Sequence, residues 1–95
     1  MPITSKQATV TATGTTELPS WNGKLGAFLA SGTFDGATVK LQHKIGSEWV
    51  DLGPDVTLSA AGGGQFITPQ SELRVDTTSA GTSTSITVIV KPLVV

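Results

Sequence analysis

The stretch GTFDGATVKLQHKIGSEWVDLG, Gly32 to Gly53, decides the fold. Within it TVKLQHKI alternates cleanly. Val39, Leu41, His43 and Ile45 fall on one face, and Thr38, Lys40, Gln42 and Lys44 on the other. A period of two marks a half-buried β-strand, because successive side chains leave opposite sides of the backbone. Gly46-Ser47 follows, and glycine at the first central position suits a two-residue type II′ turn, whose twist matches antiparallel strands. EWVDL then runs back as the partner strand. The segment predicts a hairpin over Thr38–Leu52.

Working outward, the same period recurs in short pieces. QATVTAT sets Ala8, Val10 and Ala12 against Thr9, Thr11 and Thr13, a weak strand with a small apolar face. TGTTELPS breaks the pattern with Gly14 and Pro19, so residues 1–20 read as a Thr-rich N-terminal strand or arm ahead of a sandwich over 21–95, one domain overall. KLGAFLASG, bracketed by Gly26 and Gly32, is a strand. VTLSA and QFIT are short strands on either side of a glycine loop. ELRVDT places Leu73 and Val75 inward, and Glu72, Arg74 and Asp76 outward. TSAGTSTS is a polar turn. In SITVIVKPLVV, Ile86, Val88 and Val90 share a face while Ile89 lies on the other, which expects cover on both sides there. Seven or eight short strands with turns about every ten residues predict an all-β fold, a single antiparallel β-sandwich, Ig-like or jelly-roll-like.

Composition agrees. The 95 residues carry 14% charged side chains and 5% aromatics, with no tyrosine. Threonine supplies much of the polar surface, and its β-branch favours strands. The net charge of −1 and the six scattered basic residues give no cluster for nucleic acid. With no cysteine there is no disulfide framework. MPITSKQATV lacks an apolar signal core, and no run approaches a membrane span. Neither secretion signal nor membrane partner is expected.

The residues that carry chemistry elsewhere have plainer readings here. His43 lines up with the apolar face of its strand and has no second histidine or cysteine, which makes it a tucked-in or interfacial side chain rather than a base or ligand. Asp35 lies in a turn, and Asp51 and Asp55 flank Leu52-Gly53-Pro54. Aspartate is a common turn residue because it bonds nearby backbone N–H groups, and nothing resembles a calcium loop. Gly62-Gly63-Gly64 lacks the Gly-Lys-Ser/Thr of a phosphate loop and reads as a mobile surface loop. Trp21 and Trp49 are candidates for stacking on sugar rings. Trp21, beside the Asn22-Gly23 turn pair, is the more exposed of the two, and Trp49 lies mid-strand, where packing is at least as good an explanation. No catalytic, metal or cofactor site is expected, and the chain is not expected to be an enzyme. After Lys91-Pro92 closes the last strand, Leu93, Val94 and Val95 form an apolar tail that either folds back or meets another subunit.

The string G-T-F-x-G-A-T-V-x-L-Q, a Gly-containing turn, W-V-D-L, a Gly-rich loop and ELRVDTTSAGTSTSITVIV together resemble small structural proteins of tailed bacteriophage virions. The matching residues are Gly32, Thr33, Phe34, Gly36, Ala37, Thr38, Val39, Leu41, Gln42, Trp49, Asp51, Leu52, Leu73, Arg74 and Val75, within Gly32 to Lys91. The resemblance implies a capsid decoration (cement) protein, without cofactor, assembled in the bacterial cytoplasm and carried on the capsid surface of the virion. It implies the major capsid protein as partner and a homotrimer as the assembly. Ile3, Val10, Trp21 and Asn22, in and just after the Thr-rich arm, and Leu93, Val94 and Val95 of the tail are the expected subunit or capsid contacts. The alternative is a head-fibre or tail adhesion module that binds carbohydrate.

Overall fold

A computed structural model describes residues 6–21, 24–69 and 71–92. Nine strands are present among them: β1 (Lys6–Val10), β2 (Gly14–Trp21), β3 (Lys24–Thr33), β4 (Thr38–Ile45), β5 (Glu48–Asp51), β6 (Thr57–Leu58), β7 (Gly62–Thr68), β8 (Ser71–Thr78) and β9 (Ser85–Pro92). A short 3₁₀ turn, Pro54–Val56, stands between β5 and β6. One sheet has the order β1-β9-β3-β7. The other has β2-β8-β4-β5, with β6 also pairing with β4. Every pairing is antiparallel.

The order of pairing follows the chain as in a mirror. β1 pairs with β9, β2 with β8, β3 with β7, and β4 with β5 and β6. The chain is thus one long hairpin, turned at β4–β5 and rolled so that successive strand pairs alternate between the sheets. β5 and β6 act as one strand interrupted by the 3₁₀ turn. That wrapping is the jelly roll, and it decides between the two sandwich types that the periodicity left open. The tip is the predicted hairpin. Ile45 pairs with Glu48 across Gly46-Ser47, and Gly46 has a φ of 62° while Ser47 does not have a positive φ, as a type II′ turn requires.

The core lies between the sheets and comprises, among others, Leu18, Trp21, Phe28, Val39, Leu41, Leu73, Val75, Ile86, Val88 and Val90, all with 2% exposure or less. It alternates with outward residues along β4, β8 and β9 as the period of two predicts. Ile45 departs from that: it keeps the inward parity but runs past the end of the core and is exposed.

Three expectations are corrected. Of the strand and the arm expected over residues 1–20, the described part is strand, and TGTTELPS, where Gly14 and Pro19 break the alternation, is not an arm apart from the sandwich. It is β2, paired with β8 from Gly14↔Thr77 to Trp21↔Ser71, and β1 is paired with β9, so residues 6–21 supply an edge strand to each sheet. Trp21 is fully buried rather than exposed. Between Leu18 and Trp21 the register advances three residues on β2 against two on β8, a bulge. That one extra residue reverses the parity and turns the indole inward. The ring lies against Phe66 at 5.3 Å between centroids and over Gly26 of the opposite sheet. A Cβ on Gly26 would stand 2.7 Å from ring carbons of both Trp21 and Phe66, so only glycine fits.

Gly62-Gly63-Gly64, lastly, is not a mobile loop but the first half of β7, in register with Ala30, Leu29 and Phe28. Two of the glycines make room for neighbours. On the inner side a Cβ at Gly64 would collide with the carbonyl of Asp55, where the 3₁₀ turn carries buried Val56 against the core. On the outer side a Cβ at Gly63 would collide with the Leu29 side chain.

Gly26→Ala is expected to destabilise the protein by about 1–3 kcal/mol through overpacking, whereas Gly62→Ala, where a Cβ meets nothing closer than 4.0 Å, stays within about 0.5 kcal/mol. Urea denaturation followed by tryptophan fluorescence measures both.

Candidate functional site

The two outer faces of the sandwich differ in chemistry. On the β2-β8-β4-β5 sheet the register sets Glu17, Arg74, Gln42 and Asp51 in one row across four strands. Arg74 Nε donates to Gln42 Oε1 at 2.7 Å, and Gln42 Nε2 donates to Asp51 Oδ1 at 2.7 Å. Lys44 pairs with Glu72 at 3.7 Å, and Lys40 lies 4.0 Å from Asp51. Half-buried Trp49 is covered by the Arg74 guanidinium, 4.5 Å from the ring centroid, with Lys44 at 5.9 Å. Gln42 is nearly buried beneath this layer although it points away from the core. Lys40, Lys44, Asp51, Glu72 and Arg74 are therefore engaged within the molecule.

A shallow open cleft of about 430 Å³ sits at its margin, lined by Lys40, Asp51, Gly53, Pro54 and Thr57. It is open, has no aromatic wall, and its two charged groups already face each other, so it encloses little of a small molecule. Thr57 Oγ1 donates to the Gly53 carbonyl at 2.9 Å, which holds the cleft's floor in place.

The β1-β9-β3-β7 sheet presents the opposite character. Its outward residues include Leu25, Ala27 and Leu29 of β3, Ile67 of β7 and Ile89 of β9. Ile89 stands beside Leu29, and Leu25 beside Ile67, in register. Ile67 is 75% exposed and Leu29 38%. Lys91, opposite Ala27, is the charged residue of this face, and Gln65, Thr87, Ser31, Gln7 and Thr9 rim it. Leu29 lies flat across Gly63, which keeps the surface low. The cover expected over Ile89 is only partial, and the residue is half-buried.

The remaining candidates have structural places. His43 Nδ1 and Thr68 Oγ1 share a hydrogen bond of 2.9 Å from β4 to β7, a polar tie between the two sheets at the core's rim. This is the tucked-in histidine that the alternation predicts. Asp35, in a turn with φ of 48°, accepts from the Ser83 N–H at 2.9 Å, while Thr84 Oγ1 donates to the Phe34 carbonyl and accepts from the Gly81 N–H. These bonds clasp the 34–37 and 79–84 loops together. Among the described residues no group of three His, Asp or Glu side chains is placed to hold a metal ion.

Of the expected contact residues, Val10 is 3% and Trp21 0% exposed, so both are core side chains without surface to offer. Ile3, Asn22, Leu93, Val94 and Val95 lie outside the described residues. The apolar outer face was missed because the period of two assigns it to the solvent side. Its signal is the excess of Leu25, Ala27, Leu29, Ile67 and Ile89 at outward positions.

No family model, no curated protein and no solved structure matches the chain.

Gln42→Ala is expected to cost about 1–3 kcal/mol, because it leaves the Arg74 guanidinium without its partner above the sheet. Lys40→Ala, which removes only an exposed ion pair, is expected to cost no more than about 1 kcal/mol. Thermal unfolding of the two variants separates these outcomes.

Proposed function

We propose that this chain is a structural protein of a bacteriophage virion that binds the outside of the capsid and stabilises it. The observation that carries the reading is the contrast between the two faces. One sheet engages most of its outward charges within the molecule, and the other leaves a flat group of Leu25, Ala27, Leu29, Ile67 and Ile89 toward solvent. Monomers rarely leave contiguous apolar surface unused, and such a patch with a polar rim suits a protein partner. The resemblance of Gly32–Lys91 to virion proteins supplies the partner, the major capsid protein. A jelly roll by itself supports many functions, so the fold adds no weight beyond providing the flat face.

The mechanism is mechanical. Each copy lays its apolar face across the shell and removes that face from water. Because the bound form exists only on the assembled shell, binding shifts the equilibrium toward assembly by mass action. No bond is made or broken. The runner-up reading, a glycan-binding module of a head fibre or tail, rests on Trp49, since Trp21 is buried. The Arg74 guanidinium already occupies one approach to that ring.

Leu29→Lys with Leu25→Lys is expected to abolish co-sedimentation with empty capsids while leaving the unfolding temperature within a few degrees. Trp49→Ala leaves capsid binding intact. Retained binding by the double lysine variant sinks the reading, and glycan binding lost in Trp49→Ala favours the runner-up.

A further inference from the structure

We propose that copies of this chain associate side by side through the two edges of the apolar-faced sheet, β7 of one copy taking β1 of the next as an antiparallel neighbour. A sheet edge offers unpaired backbone N–H and C=O groups, and proteins that must stay single protect it with charge, proline or brevity. The edges here differ in that protection. On the charged sheet, β2 carries Glu17 and Pro19, β5 has four residues including Glu48 and Asp51, and β6 has two residues. On the other sheet, β7 is GGGQFIT, seven residues without a charge or proline, with Ile67 exposed. β1 is KQATV, charged only at its first residue.

The two open edges also fit each other. β1 is antiparallel to β9, β9 to β3, and β3 to β7, so β1 and β7 run in opposite directions. A second copy set alongside in the same orientation therefore brings its β1 antiparallel to the first copy's β7, the pairing used throughout this sheet. No charged residue of β7 meets Lys6. The 3₁₀ turn does not block the approach, because it packs where the Gly64 side chain would point, on the inner side with Val56. The contact joins two different surfaces, so it propagates to a ring or a filament according to the rotation between copies. It also lines up the apolar outer faces of neighbours into one continuous surface. The inference does not rest on shell binding and stands or falls without it.

The absence of native cysteine makes the test clean. Thr9 and Gln65 are both exposed and outward, Thr9 next to the last residue of β1 and Gln65 at the middle of β7. Full-length Thr9→Cys and Gln65→Cys variants are oxidised alone and mixed, and the native chain is sized by sedimentation at up to about 1 mM, where even a weak contact is populated. The expected result is a mass above one copy, slowed amide exchange in β1 and β7 relative to dilute protein, and disulfide-linked pairs in the mixture but in neither variant alone. Three results overturn the proposal. One is a monomer at the highest concentration. The second is Gln65→Cys linking to itself, which means β7 pairs with β7. The third is an oligomer in which β1 and β7 amides exchange as in the monomer.

Discussion

The contact between Trp21 and Gly26 is the joint on which the two sheets close. Trp21 belongs to one sheet and Gly26 to the other, and the indole fits because Gly26 has no side chain. Phe66 completes the joint from β7. With few aromatics in the chain, this pair supplies much of the large apolar volume at that end of the core, and burying such rings dominates core energetics. The bulge before Trp21 is what delivers the ring. Around this joint the remaining core is mostly Val, Leu and Ile, with Phe28, Phe34 and two alanines, and the cross-sheet His43–Thr68 bond ties β4 to β7 nearby.

The rolled hairpin explains why the exposed side chains of contrasting chemistry lie on two flat faces rather than in a deep pocket. Mirror-order pairing puts the chain's middle, β4 to β6, on one sheet and β3, β7 and β9 on the other. The first sheet collects the Arg74–Gln42–Asp51 row and the Lys44–Glu72 pair, while the second collects Leu25, Leu29, Ile67 and Ile89 outward. Loops at the Phe34 end are short and clasped by Asp35 and Thr84, which leaves no long loop to build a cleft.

Much of the fold was legible because alternation is a local signal. Thr38–Ile45, Gly46-Ser47 and the Leu73/Val75 parity are each readable from adjacent residues alone. What escaped depends on residues far apart in sequence. The parity of Trp21 is reversed by a bulge that shows only once β8 lies alongside. The Gly62–Gly64 run looks like slack chain until Leu29 and Asp55 are seen to occupy the space above and below it. The arm reading of residues 1–20 stays open on sequence because Gly14 and Pro19 interrupt the alternation, yet both fall where an edge strand tolerates them. The apolar face was hidden for a similar reason: Leu25 and Leu29 are readable as outward only after Gly26 and Phe28 are known to face the core.

The central claim is that the apolar face, not the charged one, meets the partner. Lysine acetylation of the protein free and bound to empty capsids, read by mass spectrometry, addresses it directly. Lys91 marks the apolar face, and Lys40 and Lys44 mark the other. The account predicts that Lys91 loses reactivity on binding while Lys40 and Lys44 keep theirs. Protection of Lys40 and Lys44 with Lys91 still reactive would contradict it.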